Sequence, residues 1–526
     1  MSSTSTTVPA PSWPTLIFTG LSLSIGWGIR GNFGHETGAM MAGSLSAIAI
    51  ALTSRREDWQ RRVAYFGMLG ALGWSFGGSM SYMQVVAYTH SGHSPSVLYG
   101  FACLFVIGFL WAAPGGIGTA LAAVLDRERL TQLFGPISVV IATWWAQEAL
   151  LEPWLRARGY SLNWHDTDWL GSLTAILAAL AYAGVRRKVD LATSLVLYMG
   201  IGWWVGFAVL VLVLGMRMTP PRGDNWSGCV GLVGGLFAYC RRYNLGEVAR
   251  AGLVTGILGG IGFAAASMLK LVEVTSGYDT NWHSILEQTT GLFNGFALAI
   301  AMIPIARWSP ALSTSGRPRR FTEVYAVGFI LVFISYLNFR KNPAEWIRLK
   351  AVPAEMMGIS AAHWFDIAYI LIALTILVPL LRHIRRPLAL IPASALGRGQ
   401  WLFLAHVWWL VVGNFERALV GFTTQRLVTE GVILLNAAVC TLLCVLFPVE
   451  PIAADSEQGS KESGIPRPHF SLRATAIIGC VLASLSILVD WQVVRAIYGD
   501  RFAGHAKLHT RFGPQATSSE KPKPKS

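Results

Sequence analysis

The chain has 526 residues, of which 53% are hydrophobic and only 13% are charged. A soluble domain carries roughly 25% charged residues, so this composition excludes an ordinary soluble protein. Apolar runs of about 16–25 residues recur along the chain, and this is the length that a helix needs to cross a bilayer. Because the runs are continuous rather than alternating, they also exclude a transmembrane β-barrel.

The formal net charge is +14, and the basic residues cluster in short loops between the apolar runs. The positive-inside rule explains such clusters in a membrane protein, so the expected partner is the lipid bilayer, and no nucleic acid is expected. The six cysteines form no CxxC pair, and we expect neither a disulfide framework nor a metal site. No cofactor is expected.

The apolar runs predict an all-α polytopic membrane protein with about 14 transmembrane helices. We expect glycine-rich, repeated helical hairpins with broken or re-entrant helix ends at the outer face. The expected location is the cell membrane, of the bacterial inner-membrane type, with a multi-pass chain and a cytoplasmic N-terminus. The predicted parts are a cytoplasmic tail (1–13), a repeated-hairpin core (14–306), a second transmembrane part (307–448), a polar linker (449–473), a last transmembrane helix (474–494) and a basic disordered tail (495–526).

The first two apolar runs, residues 16–25 and 39–52, are separated by a stretch with five glycines at residues 26–38. Glycine adopts positive φ readily and allows close packing, so the sequence predicts a glycine-rich turn between two helices.

Four polar residues of that stretch are candidates for a functional centre: Arg30, Asn32, His35 and Glu36. Ionisable residues within a membrane usually face protein or water and carry function. Two interpretations stay open. The stretch is either an external turn whose charges contact water and headgroups, or a broken-helix site in which these side chains bind a solute.

The third predicted helix covers residues 63–86, and its glycines recur at three- and four-residue spacing, which lets membrane helices approach closely. Further predicted helices follow as far as residue 306, and the basic loops at 54–62, 186–188 and 241–242 alternate with polar outer loops. Beyond residue 306, basic residues flank both ends of the predicted helices, so the sequence sets no topology there.

The pattern Gly-Tyr-x-x-Asn-Trp-His occurs twice, at residues 159–165 and 277–283, in predicted outer loops that lie four helices apart. It suggests an internal repeat of helical hairpins related by an axis along the membrane normal. An aromatic belt beside a helix N-cap is the simpler explanation of Asn-Trp. That explanation does not account for two histidines at matched positions, which we expect to converge near the outer mouth of the bundle. The candidate binding residues in these outer loops are Asn163, His165, Asp166, Asp224, Asn225, Asn281 and His283.

None of the catalytic signatures HExxH, GxSxG, Walker A or CxxCH is found. The leading hypothesis is an integral membrane transporter or permease of a small polar or anionic solute, with Arg30 recognising the anion through its permanent charge and planar fork. The alternative is a membrane-embedded transferase or hydrolase with an outer-face active site for a sugar or lipid-linked substrate, which the 21 tryptophans would suit by stacking. A structural subunit without chemistry is the third possibility.

Polar residues at mid-membrane would favour transport over an enzyme whose site lies at one face. The predicted helix interiors are mostly apolar, and Gln84, Glu148 and Glu287 are among the few exceptions. The sequence therefore favours the transporter over the enzyme by only a small margin.

Overall fold

The continuous apolar runs form α-helices, since a helix satisfies its backbone N–H and C=O groups within its own segment and is therefore stable in a bilayer. The structure is a computed structural model that describes residues 13–80, 82–162, 164–218, 224–310, 312, 320–385, 396–420, 423–446 and 471–498. This described part of the chain is nearly all helical.

The helices are α1 (Trp13–Phe33), α2 (His35–Thr53), α3 (Glu57–Gln60), α4 (Val63–Ser75), α5 (Met83–Thr89), α6 (Ser94–Val124), α7 (Arg127–Ala146), α8 (Glu152–Ala157), α9 (Trp169–Arg186), α10 (Leu191–Phe207), α11 (Asn225–Arg242), α12 (Gly246–Ala266), α13 (Leu269–Ser276), α14 (Trp282–Trp308), α15 (Arg320–Gly328), α16 (Ile334–Phe339), α17 (Lys341–Arg348), α18 (Ala361–Arg385), α19 (Arg398–Leu419), α20 (Thr424–Leu446) and α21 (Leu472–Tyr498). Short 3-10 or π-helical turns occupy Phe76–Ser79, Gln147–Leu151, Trp164–Asp166, Ala208–Val213 and Phe329–Phe333. Two short antiparallel strands, β1 (Glu355–Met356) and β2 (Ile359–Ser360), pair Glu355 with Ser360.

Within the described residues, nine helical segments are long and apolar enough to cross a membrane. They are His35–Thr53, Ser94–Val124, Trp169–Arg186, Leu191–Val213, Gly246–Glu273, Trp282–Trp308, Phe321–Arg348, Thr424–Leu446 and Leu472–Ile497. Shorter apolar helices lie at Val63–Ser75 and Ala361–Ile376. Their length and composition are those of an all-α, multi-pass membrane protein. The larger number of about 14 spans stays a prediction.

The glycine-rich stretch at residues 26–38 is not the turn that the sequence predicts. Helix α1 continues through most of it to Phe33, and α2 begins at His35. Only Gly34 lies between the two helices, with φ of 104°, a conformation that favours glycine. At Gly26 the absence of a side chain serves packing instead, because a Cβ there would clash with the backbone of Ala42. The hairpin is therefore tight, and Arg30 is a helical residue.

The third predicted helix is also interrupted. Residues 63–86 form α4, a 3-10 turn and the start of α5 instead of one continuous helix. Trp111 of α6 donates its indole N–H to the carbonyl of Gly77 in that turn, which satisfies a backbone group that the break leaves free. The break matters for the site because it places Tyr82, between the two pieces, inside the bundle with 2% of its surface exposed.

The centre of the bundle is formed by helices α1, α2, α4, α6, α12 and α14, most of whose residues are buried. Helix α1 packs antiparallel to α14 through small residues. A Cβ at Gly295 would lie 2.6 Å from the Cα of Gly20, and one at Gly291 would lie 2.7 Å from the Cα of Ser24. Small residues at four-residue spacing allow such close approach in membranes. Helix α21 lies at the periphery and exposes most of its apolar side chains.

The two ends of the bundle differ in their polar groups. At the end where α1 passes into α2, which we call the junction end, Asn32 donates to Asn414 at 2.7 Å. At the opposite end, the basic end, Arg56 donates to the carbonyl of Ser309 at 2.7 Å. The 54–62 loop and its contacts therefore lie at the end of the bundle opposite Arg30.

We predict that Gly26→Ala destabilises the protein, whereas Gly31→Ala in the same helix does not. A Cβ at Gly26 meets the backbone of Ala42, while nothing lies within 4 Å of a Cβ at Gly31. Overpacking a tight contact typically costs about 1–3 kcal/mol. Thermal unfolding of the purified proteins in detergent measures the difference. Equal unfolding temperatures for the two variants would contradict the close packing of α1 on α2.

Candidate functional site

Arg30 lies in the last turn of α1 and is almost fully buried, with 1% of its side chain exposed. Trp27 precedes it by three residues, so both side chains project from the same face of the helix. The guanidinium carbon lies 4.7 Å from the centroid of the Trp27 ring and 5.0 Å from that of Trp111 on α6. Cation–π contacts of this kind hold a desolvated guanidinium in place.

The carboxylate partner of Arg30 is Glu287, in the second turn of α14. Arg30 Nη2 donates to Glu287 Oε1 at 2.6 Å, and only 2% of the glutamate side chain is exposed. Tyr82 donates its hydroxyl to the same oxygen. The pair is therefore a buried, charge-assisted contact, in which removal of one partner would leave an uncompensated charge.

Two histidines border this pair. His35 Nδ1 lies 3.2 Å from Arg30 Nη1, and His35 is exposed at the junction end. His283 precedes Glu287 by one helical turn, its Nε2 lies 3.7 Å from Glu287 Oε1, and 40% of its side chain is exposed. The histidines thus connect the buried pair with the surface of the junction end.

Several buried polar atoms around the pair have no hydrogen-bond partner among the described residues. Arg30 Nε and Glu287 Oε2 belong to the pair itself, Trp27 Nε1 to the ring against the guanidinium, and His283 Nδ1 to the histidine beside Glu287. Buried polar groups are nearly always hydrogen-bonded, and each exception requires an explanation. A ligand oxygen beside the guanidinium would satisfy the Arg30 Nε–H group.

Of the other residues predicted in the first hairpin, Asn32 and Glu36 stand apart from Arg30. Glu36 is exposed, and the carboxylate that pairs with Arg30 is Glu287 instead. Asn32 donates to Asn414, and Asn414 donates to Glu430 Oε2 at 2.5 Å. Asn32 thus begins a hydrogen-bonded chain that connects α1 with α19 and α20.

A second cluster contains the first histidine of the Gly-Tyr-x-x-Asn-Trp-His pattern. His165 Nδ1 lies 3.3 Å from Asp224 Oδ2, and Arg217 Nη1 lies 3.0 Å from the same oxygen. Asp224 is fully buried, and burial raises the pKa of its carboxyl, although Arg217 and His165 act in the opposite direction. Beside the cluster, Asn225 donates to Asp168, and the Asp168 backbone N–H donates to Asn225 Oδ1 at 3.0 Å.

The two histidines of the pattern occupy different local structures. His165 lies in a 3-10 turn with φ of 54°, four residues before α9 begins, and Asp166 follows it with φ of 51°. His283 lies in the first turn of α14, where Asn281 caps the helix by accepting from the Ser284 N–H at 3.2 Å. Asn163, the counterpart of Asn281, lies outside the described residues. His165 contacts Asp224 and His283 approaches Glu287, so the two imidazoles meet different carboxylates.

The polar face of α14 extends from this site into the bundle. Gln288 donates to the Ser284 hydroxyl at 3.2 Å and to the Thr429 carbonyl at 3.1 Å. Asn294 is fully buried, and neither its amide nitrogen nor its oxygen has a partner among the described residues. At 1.5 Å per residue, Asn294 lies about 18 Å along the helix from Trp282, near its middle.

Glu287 and Tyr82 are site residues that were not predicted from the sequence. Glu287 carried a signal, because it interrupts an apolar run of membrane length. Tyr82 carried none, since it fell inside a helix predicted to be continuous. Within the described part of the chain, no group of three His, Cys, Asp or Glu residues could hold a metal ion.

Comparisons of the chain with protein-family models, with curated proteins and with solved structures find no match.

We predict that Arg30→Met destabilises the protein by about 3–5 kcal/mol, because Glu287 is left buried and unpaired. Adding Glu287→Gln to Arg30→Met should restore most of that loss. Thermal and denaturant unfolding of both single variants and the double variant in detergent give the coupling energy. Arg348→Met is the control, since Arg348 forms an exposed ion pair with Glu345 and its loss should change little. If the losses of unfolding free energy in Arg30→Met and Glu287→Gln simply add in the double variant, the two side chains do not interact.

Proposed function

We propose that the protein is a multi-pass membrane transporter, a permease, for a small polar or anionic solute. The observation that carries the proposal is the buried Arg30 guanidinium, held against Trp27 and Trp111, with unpartnered N–H groups around it. Ionisable residues of this kind inside a bundle of membrane-length helices usually mark a solute pathway. A permanent positive charge with a planar fork suits an anion.

Buried polar groups at mid-depth support transport over chemistry at one face. Asn294 lies near the middle of α14, and both polar atoms of its side chain lack a partner in the described structure. In the middle of α2, Ser44 forms a 2.6 Å hydrogen bond with the fully buried His406 of α19. An enzyme with its site at the membrane surface needs no such groups at this depth, whereas a solute that crosses the bundle does.

The second candidate function is a membrane-embedded transferase or hydrolase that acts on a sugar or lipid-linked substrate. The observation that favours it is the second cluster, in which Asp224 and Arg217 both contact the partly exposed His165. A histidine oriented by a carboxylate is a usual general acid–base pair. No nucleophilic side chain among the described residues is hydrogen-bonded to this histidine, so the transporter is the stronger proposal.

We further propose that the basic end faces the cytoplasm and the junction end faces outward, with a cytoplasmic N-terminus. The positive-inside rule supports this orientation, because the basic loops gather at one end. The internal repeat of hairpins is part of the same proposal, and its support is the repeated Gly-Tyr-x-x-Asn-Trp-His pattern.

Uptake into proteoliposomes tests the transport proposal. With radiolabelled L-lactate, gluconate, phosphate and sulfate as probes, we expect the wild-type protein to transport at least one anion. Arg30→Lys should reduce that uptake at least tenfold while the protein stays folded, because lysine keeps the charge but loses the planar fork.

Asp224→Asn separates the two candidate functions. A transporter centred on Arg30 should keep most of its uptake in this variant. Full uptake by Arg30→Lys together with complete loss in Asp224→Asn would move the functional centre to the second cluster and overturn the proposal.

Labelling of introduced cysteines tests the orientation. In a Cys480→Ser background, we expect Tyr160→Cys to react with an impermeant maleimide in intact cells and Arg187→Cys to react only after permeabilisation. Both positions are exposed, so accessibility within the fold does not limit either reaction. The reverse pattern would invert the proposed topology.

A further inference from the structure

We propose that the solute is a small monocarboxylate and that its binding is coupled to the uptake of one proton by Glu287. The incoming carboxylate replaces Glu287 on Arg30, and Glu287 becomes a neutral carboxylic acid. This inference rests on the proposed transport function, and it adds the substrate class and the coupling ion.

The geometry requires Glu287 to leave before an anion can take its place. Arg30 cannot follow the solute, because its guanidinium is buried against the rings of Trp27 and Trp111. In the described structure, Glu287 is the one carboxylate within ion-pair distance of Arg30, and it contacts Nη2 through Oε1. A solute that reaches Nη2 must therefore displace this oxygen.

The unpartnered atoms favour a carboxylate as the replacement. Nε and Nη2 lie on one edge of a guanidinium, and a carboxylate can accept from both at once. Glu287 uses only the Nη2 position, which leaves both Arg30 Nε and its own Oε2 without a partner in the part of the chain described. A free carboxylate is not tied to a helix, so it can occupy the whole edge. Its second oxygen can also accept from an indole N–H such as that of Trp27.

Charge balance in the buried site requires the proton. Before exchange, Arg30 and Glu287 sum to zero charge. After exchange, the monocarboxylate balances Arg30, and an ionised Glu287 would be an uncompensated buried charge of high free energy. Protonation returns the sum to zero. A divalent phosphate would leave a net negative charge in the same site, so the balance selects a monoanion.

A proton route to Glu287 is present at the junction end. His283 Nε2 lies 3.7 Å from Glu287 Oε1, and its side chain is partly exposed. Solvent protonates the partly exposed His283, its N–H bond then breaks as an O–H bond forms on Glu287, and the imidazole is neutral again. The titratable and charged groups that face Glu287 are Arg30 of α1, Tyr82 before α5 and His283 of α14. The groups beyond them that act on Arg30 or His283 are His35, Glu36, Lys270 and Glu273, and Lys341 acts on His35.

Isothermal titration calorimetry in buffers of different ionisation enthalpy counts the protons taken up on binding. With L-lactate and gluconate as probes, we expect one proton per bound anion in the wild-type protein. The affinity should fall about tenfold per pH unit above the midpoint, which is the pH at which Glu287 is half-protonated in the anion-free protein. Glu287→Gln should bind without proton uptake and with no pH dependence in that range, whereas Glu148→Gln, an exposed carboxylate variant at the same end, should behave like the wild type.

Tyr82→Phe is a second variant that keeps the ion pair. It removes one hydrogen-bond donor from the Glu287 carboxylate, which favours the protonated form. We therefore expect one proton per anion as before, with the midpoint of the pH dependence shifted to higher pH. An unshifted midpoint would contradict the role of Glu287.

The outcomes distinguish the coupling from the transport proposal. Arg30-dependent monocarboxylate binding without proton uptake, or with proton uptake that persists in Glu287→Gln, overturns the coupling and leaves transport in place. Arg30-dependent binding of phosphate or sulfate in preference to monocarboxylates overturns the substrate class. Absence of Arg30-dependent binding and uptake of all four anions overturns the proposed function itself.

Discussion

The burial of a permanently charged guanidinium among membrane-length helices is the constraint on which the site depends. A buried charge is costly unless it is paired and hydrogen-bonded. Here the ion pair with Glu287 and the rings of Trp27 and Trp111 compensate that penalty. These partners come from three different helices, so the side chain of Arg30 requires α1, α6 and α14 to meet at one place.

Close helix packing makes that meeting possible. Gly26 brings α1 against α2, and Gly291 and Gly295 bring α14 against α1. The same packing aligns the polar face of α14 with the interior, from His283 at the partly exposed end to Asn294 at mid-depth. The fold and the candidate site are therefore linked, because the residues that allow close approach also position the polar groups.

The sequence was sufficient to predict the helical membrane class, which follows from local composition, and it singled out Arg30, whose side chain the structure buries. It could not identify Glu287 as the partner, because that residue lies 257 positions away and the pairing depends on tertiary packing. The five glycines of the first hairpin were interpreted as a turn, yet three of them lie within α1, and neighbouring helices pack on Gly26 and Gly28. The sequence shows two histidines at matched positions, but it does not show that the backbone conformations at His165 and His283 differ.

A cryo-electron microscopy structure in lipid nanodiscs, determined with and without saturating L-lactate at mildly acidic pH, tests whether a solute carboxylate replaces Glu287 on Arg30. Without the anion, we expect Arg30 to be buried against Trp27 and Trp111 and paired with Glu287. With the anion, we expect density for a carboxylate on the Nε and Nη2 edge of Arg30, with Glu287 displaced. An Arg30 side chain in bulk solvent, or one paired with Glu287 unchanged while lactate binds elsewhere, would contradict this replacement.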